Sequence, residues 1–209
     1  MPQEADKKSV VHIVDDDESL RCALDSLCRS IGFRTRTYGS VQEFLDAKQH
    51  GVPGCLVLDV RLPGVSGLDF QSQLVDLGIH LPVILITGHA DIPMSVRAMK
   101  AGAVDFLPKP FRDQDLLDAV ATAVERDRKR RELEYGTIRD RDRFSTLSPR
   151  EQQVMMLVTT GQMNKQVAGT LELSEITVKF HRGAAMRKMG ARTFADLVRM
   201  ADVLRPKSP

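Results

Sequence analysis

With 209 residues, 42% of them hydrophobic and 28% charged, the chain is long enough for one ordinary domain and a small second one, with the composition of a soluble globular protein. No apolar run approaches the ~20 residues needed to cross a bilayer, and Met1 to Ser9 is polar and mixed in charge, which excludes a secretory signal. The net charge of +2 hides a split: residues 1–125 hold 12 Lys+Arg and 18 Asp+Glu, a net of −6, whereas residues 126–209 hold 18 and 10, a net of +8. That split describes an acidic module followed by one suited to polyanions.

In chain order, Val10-Val11-His12-Ile13-Val14 is a β-branched run that predicts a strand. After Asp15-Asp16-Asp17, Leu20, Leu24, Leu27 and Ile31 recur at helical spacing, and Gly32 follows as a stop. Phe33 to Tyr38 predicts a second, weaker strand, and Ser40 a cap for a short helix with Phe44 and Leu45. Cys55-Leu56-Val57-Leu58 is the third strand and ends on Asp59. Ser66 opens a helix with Leu68, Gln71, Leu74 and Leu77 near one side. Pro82 to Ile86 is the fourth strand, Asp91 to Ala101 a helix, and Val104 to Leu107 the fifth strand. A last helix begins near Asp113 and buries Leu116, Leu117, Val120 and Val124.

Strands alternating with helices at these lengths predict a parallel sheet covered on both faces, and runs such as Val83-Ile84-Leu85-Ile86 suit burial on both sides. Right-handed crossovers leave few topologies, of which the doubly wound, flavodoxin-like order 2-1-3-4-5 is the common one. Ligands then bind outside the carboxyl ends of strands 1 and 3, where the winding reverses. Those ends carry Asp15, Asp16 and Asp59, and Thr87 and Lys109 lie at the matching ends of strands 4 and 5.

Carboxylates brought together repel and resist ionisation without a counter-charge. All-oxygen ligation suits Mg²⁺, so Asp15, Asp16 and Asp59 are read as a metal site. The plainer alternative, that the three early acids only cap the first helix, suits Asp17 best. With Mg²⁺ and the Lys109 ammonium offsetting charge, Asp59 is placed to attack a phosphoryl donor and form an acyl phosphate. Thr87 offers a hydroxyl to a phosphoryl oxygen, and Pro110 holds the Lys109 backbone out of the helical region. Three cysteines, Cys22, Cys28 and Cys55, show no metal-ligand spacing and are read as reduced thiols.

Residues 125–143 change character. Arg126-Asp127-Arg128-Lys129-Arg130-Arg131-Glu132-Leu133-Glu134 has almost no apolar stripe and is read as a solvated helical linker, with Arg128–Glu132 and Arg130–Glu134 spaced for surface pairs. Beyond it, Ser148-Pro149-Arg150-Glu151 combines an N-cap, a proline in the first turn and a glutamate three residues after the cap. Val154, Leu157 and Val158 follow, and Gly161 ends that helix. Asn164 is read as the cap of a second helix with Val167, Ala168 and Leu171, and Ser174 as the cap of a third. Only Glu172 to Ser174 lies between these two, and the later one is basic, which is the pattern of a helix-turn-helix. A fourth helix runs from about Thr193 to Val203. Ile176, Val178 and Met186 are assigned to the core of this all-α module.

The motifs Val-Asp-Asp-Asp at 14–17, Leu-Asp-Val-Arg-Leu-Pro-Gly at 58–64, Thr-Gly-His at 87–89 and Asp-Phe-Leu-Pro-Lys-Pro-Phe at 105–111 resemble a two-component receiver domain. Leu-Ser-Pro-Arg-Glu at 147–151, Gly161 to Ala168 and Ser174 to Arg182 resemble a LuxR-type DNA-binding domain. The joined resemblance is to FixJ/NarL-type response regulators, with a receiver at 9–124, the linker at 125–143 and the helix-turn-helix at 144–205. It implies that Asp59 takes phosphate from a sensor histidine kinase, and that Asp16, Asp59 and the Arg61 carbonyl hold Mg²⁺ while Asp15 helps through water. It makes Thr87 the switch hydroxyl, Lys109 the phosphate partner and Phe106 an aromatic that changes burial with Thr87. It implies DNA contact by Lys179 and Arg182 of the third helix, with Phe180 and His181 nearby and Lys165 and Thr177 positioning the backbone. Gly183-Ala184-Ala185 departs from relatives, which often place larger polar residues there, and the tract is read as removing contacts. The expected partners are the kinase, double-stranded DNA with two-fold related half-sites, RNA polymerase, and a second copy of the phosphorylated chain, all in the cytoplasm.

Two rival readings conflict with particular residues. A phosphatase with a nucleophilic aspartate wants a second Asp two residues on, where this chain has Arg61, so the reading is of a regulator and not an enzyme. A DNA-binding regulator with a silent receiver conflicts with the full set Asp15, Asp16, Asp59, Thr87 and Lys109.

Overall fold

A computed structural model describes residues 9–47 and 51–205. The start of the polar stretch read against a secretory signal, residues 1–8, lies outside the described residues. The chain divides into two compact units, Met1–Arg131 and Glu132–Pro209.

In the first unit the strands are β1 (Val10–Val14), β2 (Arg34–Tyr38), β3 (Gly54–Asp59), β6 (Val83–Thr87) and β7 (Asp105–Pro108). They form one sheet in the order β2-β1-β3-β6-β7 with every pairing parallel. Between β3 and β6 sits a two-residue hairpin, β4 (Arg61–Leu62) against β5 (Val65–Ser66), so the order over the five long strands is the expected 2-1-3-4-5. The helices are α1 (Glu18–Ser30), α2 (Val41–Asp46), α3 (Gly67–Gln73), α4 (Ile92–Lys100) and the start of α5 (Asp113–Ser145), which continues past Arg131. Strand side chains alternate between two cores. Val11, Ile13, Val57, Ile84 and Ile86 pack with Leu24, Cys28, Leu116 and Val120 of α1 and α5. Val14, Leu56, Leu58 and Leu85 pack with Phe44, Leu68, Phe70 and Ala98 of α2, α3 and α4. Each fully buried aliphatic side chain contributes about 1.5–3 kcal/mol, enough to hold strands whose polar ends converge.

Two details differ from the sequence reading. The third helix stops at Gln73, because the chain turns through Gly78 (φ +71) towards β6. Leu74 stays buried while Leu77 is left exposed. In the stretch expected to be a solvated linker, Arg126 and Lys129 are exposed but one acid is not. Asp127 is completely buried and accepts the Gly54 N–H at 3.0 Å. Arg130 Nη2 and Arg131 Nε bond it from its own helix at 2.6 and 2.7 Å.

In the second unit α6 (Pro149–Val158), α7 (Asn164–Leu171), α8 (Glu175–Met189) and α9 (Phe194–Leu204) follow the end of α5. The Ser148/Glu151 capping box opens α6, and Ser174 and Thr193 cap α8 and α9. Asn164 is the first helical residue of α7 and not its cap. Met163 holds the cap position, and its N–H is taken by the Gln166 side chain at 2.8 Å. Glu172, at a left-handed φ of 55°, closes α7 and turns the chain into α8. The inner stripe of α8 is Val178, Ala185 and Met189, all fully buried. Ile176 is 83% exposed, which overturns its core assignment. At about 100° per residue it falls about 160° round the helix from Val178. Ala184 and Ala185 are buried, so they are small because they face the core, and they remove no outward contacts.

Candidate functional site

The carboxyl edge of the sheet gathers three carboxylates. Asp15 and Asp16 follow the end of β1 and Asp59 ends β3, with Asp15 and Asp59 each directly beyond the register pair Val14–Leu58. One oxygen from each of Asp15, Asp16 and Asp59 lies within 4.8 Å of the others. Asp15 and Asp59 are buried and Asp16 is exposed, so the cluster opens to solvent on one side. Asp17 does not join it. Its side chain caps α1, accepting from Ser19 and Leu20 N–H at 2.9 and 3.2 Å.

Lys109 comes from the end of β7. Its backbone N–H donates to the Thr87 carbonyl at 2.7 Å, and the Lys109–Pro110 peptide bond is cis. The ammonium bonds Asp15 Oδ2 at 2.7 Å and Asp59 Oδ2 at 3.0 Å. Burial pushes the Asp15 carboxyl above its ordinary pKa, with the Lys109 bond acting against it. Burial works against the Lys109 ammonium too, but its bonds to Asp15 and then Asp59 outweigh that and hold its pKa above the usual lysine value. Three hard oxygen donors beside one cation are a fitting donor set for Mg²⁺.

The other predicted rim residues are placed as follows. Thr87 is fully buried at the end of β6. Its hydroxyl oxygen accepts the His89 N–H at 3.3 Å and lies 3.4 Å from the His89 carbonyl. Arg61 is exposed and donates its backbone N–H to Asp59 Oδ1 at 3.2 Å. Phe106 is partly buried against the α2–α3–α4 core.

The α8 surface carries a second group. Lys179 and Phe180 are exposed, as is Lys165 on α7. Thr177 is held at the helix start by Ser174, whose hydroxyl lies 2.8 Å from the Thr177 hydroxyl. His181 is half-buried, with an Nδ1 that finds no hydrogen-bond partner among the described residues. The Arg182 guanidinium lies 4.5 Å over the Phe194 ring, so that side chain also braces α9 against α8.

Residues 11–121 match the family "Response regulator receiver domain" and residues 145–201 match "Bacterial regulatory proteins, luxR family". Over 201 residues the chain is 59% identical to "Nodulation protein W" of Bradyrhizobium diazoefficiens, covering 96% of this chain and 88% of that one. Over 192 residues it is 43% identical to "Transcriptional regulatory protein FixJ" of Rhizobium meliloti, covering 91% and 94%. Its fold is similar to that of the response regulator StyR, with TM-score 0.81, 46% identity and coverage of 93% and 98%. Full-length FixJ from B. japonicum is similar at TM-score 0.57 and 36% identity, covering 94% and 97%.

The chain is a response regulator with a LuxR-type helix-turn-helix. No helix among the described residues is long and apolar enough to cross a membrane.

Sequence reading missed two residues that support this regulator's rim. Arg21 of α1 donates from Nη1 to the Asp15 carbonyl at 2.6 Å and fixes the loop carrying the acids. Gly67 lies under Asp59, where a Cβ would stand 2.2 Å from the Asp59 carbonyl oxygen. The basic side chain four residues after a capping aspartate was the available signal for Arg21. For Gly67 it was a glycine in the first turn of a helix, where it gains nothing in propensity.

Proposed function

We propose that the regulator is switched by phosphorylation of Asp59 and acts as a transcription factor. The observation that carries this is the Lys109 ammonium bridging Asp15 and Asp59, with Asp16 beside them, at the open carboxyl edge of a parallel sheet. Asp15, Asp16 and Asp59, with the Arg61 carbonyl, would hold Mg²⁺, which when bound offsets charge on the incoming phosphoryl group. Asp59 attacks the phosphorus and the donor leaves with the bonding electrons, giving an aspartyl phosphate. Lys109 then pairs with a phosphoryl oxygen in place of Asp59. The added charge, about −1.5 to −2 by analogy with phosphoserine, draws the Thr87 hydroxyl away from His89, and Phe106 repacks behind it.

The response spreads to the face of α4 and β7. Ile92, Val96 and Met99 are exposed on α4 at helical spacing, an apolar stripe suited to pairing two phosphorylated copies. The division into a receiver at 9–124, a linker at 125–143 and a DNA reader at 144–205 belongs to this reading, with Asp127 tying the linker's start to the receiver. Lys165, Thr177, Lys179, Phe180, His181 and Arg182 would face DNA, with half-sites about one turn apart for a two-fold dimer. A sensor histidine kinase supplies the phosphate, RNA polymerase is the downstream partner, and the site of action is the cytoplasm.

The test is incubation with a small phosphodonor and Mg²⁺, read by phosphate-affinity electrophoresis and then by DNA mobility shift. Wild type is expected to gain one phosphate and Asp59→Asn none. Equal incorporation by both, or DNA binding indifferent to incorporation, refutes the switch.

A further inference from the structure

We infer that Ile176 and Phe180 form an apolar pair on α8 that selects thymine in the DNA major groove through its C5-methyl group. The inference rests on the proposal that the helical unit binds DNA, and it names the base class that unit prefers.

Ile176 is 83% exposed and Phe180 67% exposed. They are four residues apart, so they stand one above the other on one helix face. That face lies opposite the buried stripe of Val178, Ala185 and Met189, so neither side chain supports the core of this unit. The surroundings suit a nucleic acid better than an apolar protein partner. Lys179 is exposed beside them and Arg187 follows on the same outward side. Gly183 continues the face, with only the Arg187 guanidinium within 4 Å of where its Cβ would be, which leaves room for a groove wall to approach. The Phe180 ring is braced edge-on by His181, with centroids 5.9 Å apart and planes at 72°, so it presents a defined surface.

Within the major groove the thymine methyl is the one apolar group displayed by the four bases. Two large apolar side chains flanked by cations therefore match a thymine-containing step between phosphates that the cations hold.

The experiment uses the full chain treated with phosphodonor and Mg²⁺. A preferred duplex is recovered by selection from a randomised library. Affinity is then measured by fluorescence anisotropy for that duplex made with thymine and with deoxyuridine, which differs only by the methyl. Wild type is expected to bind the deoxyuridine duplex about fourfold more weakly per methyl removed at the read positions, the factor for burying one such group. The salt dependence should be unchanged, since the phosphate contacts remain. In Ile176→Ala/Phe180→Ala the thymine preference should disappear. Equal binding of both duplexes by wild type overturns the inference and leaves DNA binding standing. So does a uridine penalty that survives undiminished in the double variant. Selection that returns no preferred sequence removes the DNA-reading proposal and this inference with it. The thymine–uridine comparison on wild type is independent of how the variant folds.

Discussion

Replacing Asp127 by Ala is expected to destabilise the first unit by about 2 kcal/mol. The carboxylate is completely buried, and its Oδ2 accepts the Gly54 N–H at 3.0 Å across 73 residues of chain. Gly54 begins the fully buried strand β3, so without Asp127 that N–H is a buried donor with its acceptor removed, at about 1–3 kcal/mol. Arg130 and Arg131 also lose their bonds to this carboxylate, but their side chains are 30% and 19% exposed and water recovers part of that loss. For a unit of this size, ~2 kcal/mol corresponds to a melting shift of about 6–10 °C. Calorimetry of the full chain reads the shift. Hydrogen-exchange mass spectrometry on a peptide containing Gly54 should show faster exchange of that amide. Asp127→Asn should fall between, because an amide oxygen can still accept from Gly54 while the NH₂ group cannot accept from the arginines. A stability change below about 0.5 kcal/mol, with Gly54 protection unaltered, would refute the reasoning.

Gly67→Ala should destabilise the protein and slow phosphate incorporation. Alanine ordinarily gains about 1 kcal/mol over glycine within a helix, but here its Cβ meets the Asp59 carbonyl oxygen at 2.2 Å and the strand end must move; thermal melts and phosphodonor kinetics give the sign. Glu151 is held below its ordinary pKa by its bond to Lys188 at 2.6 Å and by the Ser148 N–H at 2.8 Å. A carboxyl lowered on folding contributes stability that is present above its unfolded pKa and lost as pH falls through the folded one. Melting of Glu151→Gln should therefore lie below wild type at pH 7, with the gap closing once pH drops below about 4; a gap constant with pH would count against the ion pair.

The front of the molecule was legible because a parallel sheet converts order along the chain into position in space. Once strands 1, 3, 4 and 5 are assigned, their carboxyl ends must share one rim, so Asp15, Asp59, Thr87 and Lys109 come together from sequence order alone. What stayed hidden depends on packing between distant residues. Asp127 sits in a stretch so rich in charge that only the Gly54 N–H, far back in the chain, distinguishes it from a solvated acid. The error at Ile176 has a different cause. A large apolar residue among helical neighbours reads as core, but the buried residues of α8 are Val178, Ala184, Ala185 and Met189, two of them alanines. The two alanines give little hydrophobic signal, while Ile176 and Phe180 point the other way. Exposing Ile176 and Phe180 together forgoes burial worth several kcal/mol, so the helix lost stability it could have had. A face left apolar at that cost, beside cations and opposite a well-packed stripe, is better explained by what it touches than by what it holds together.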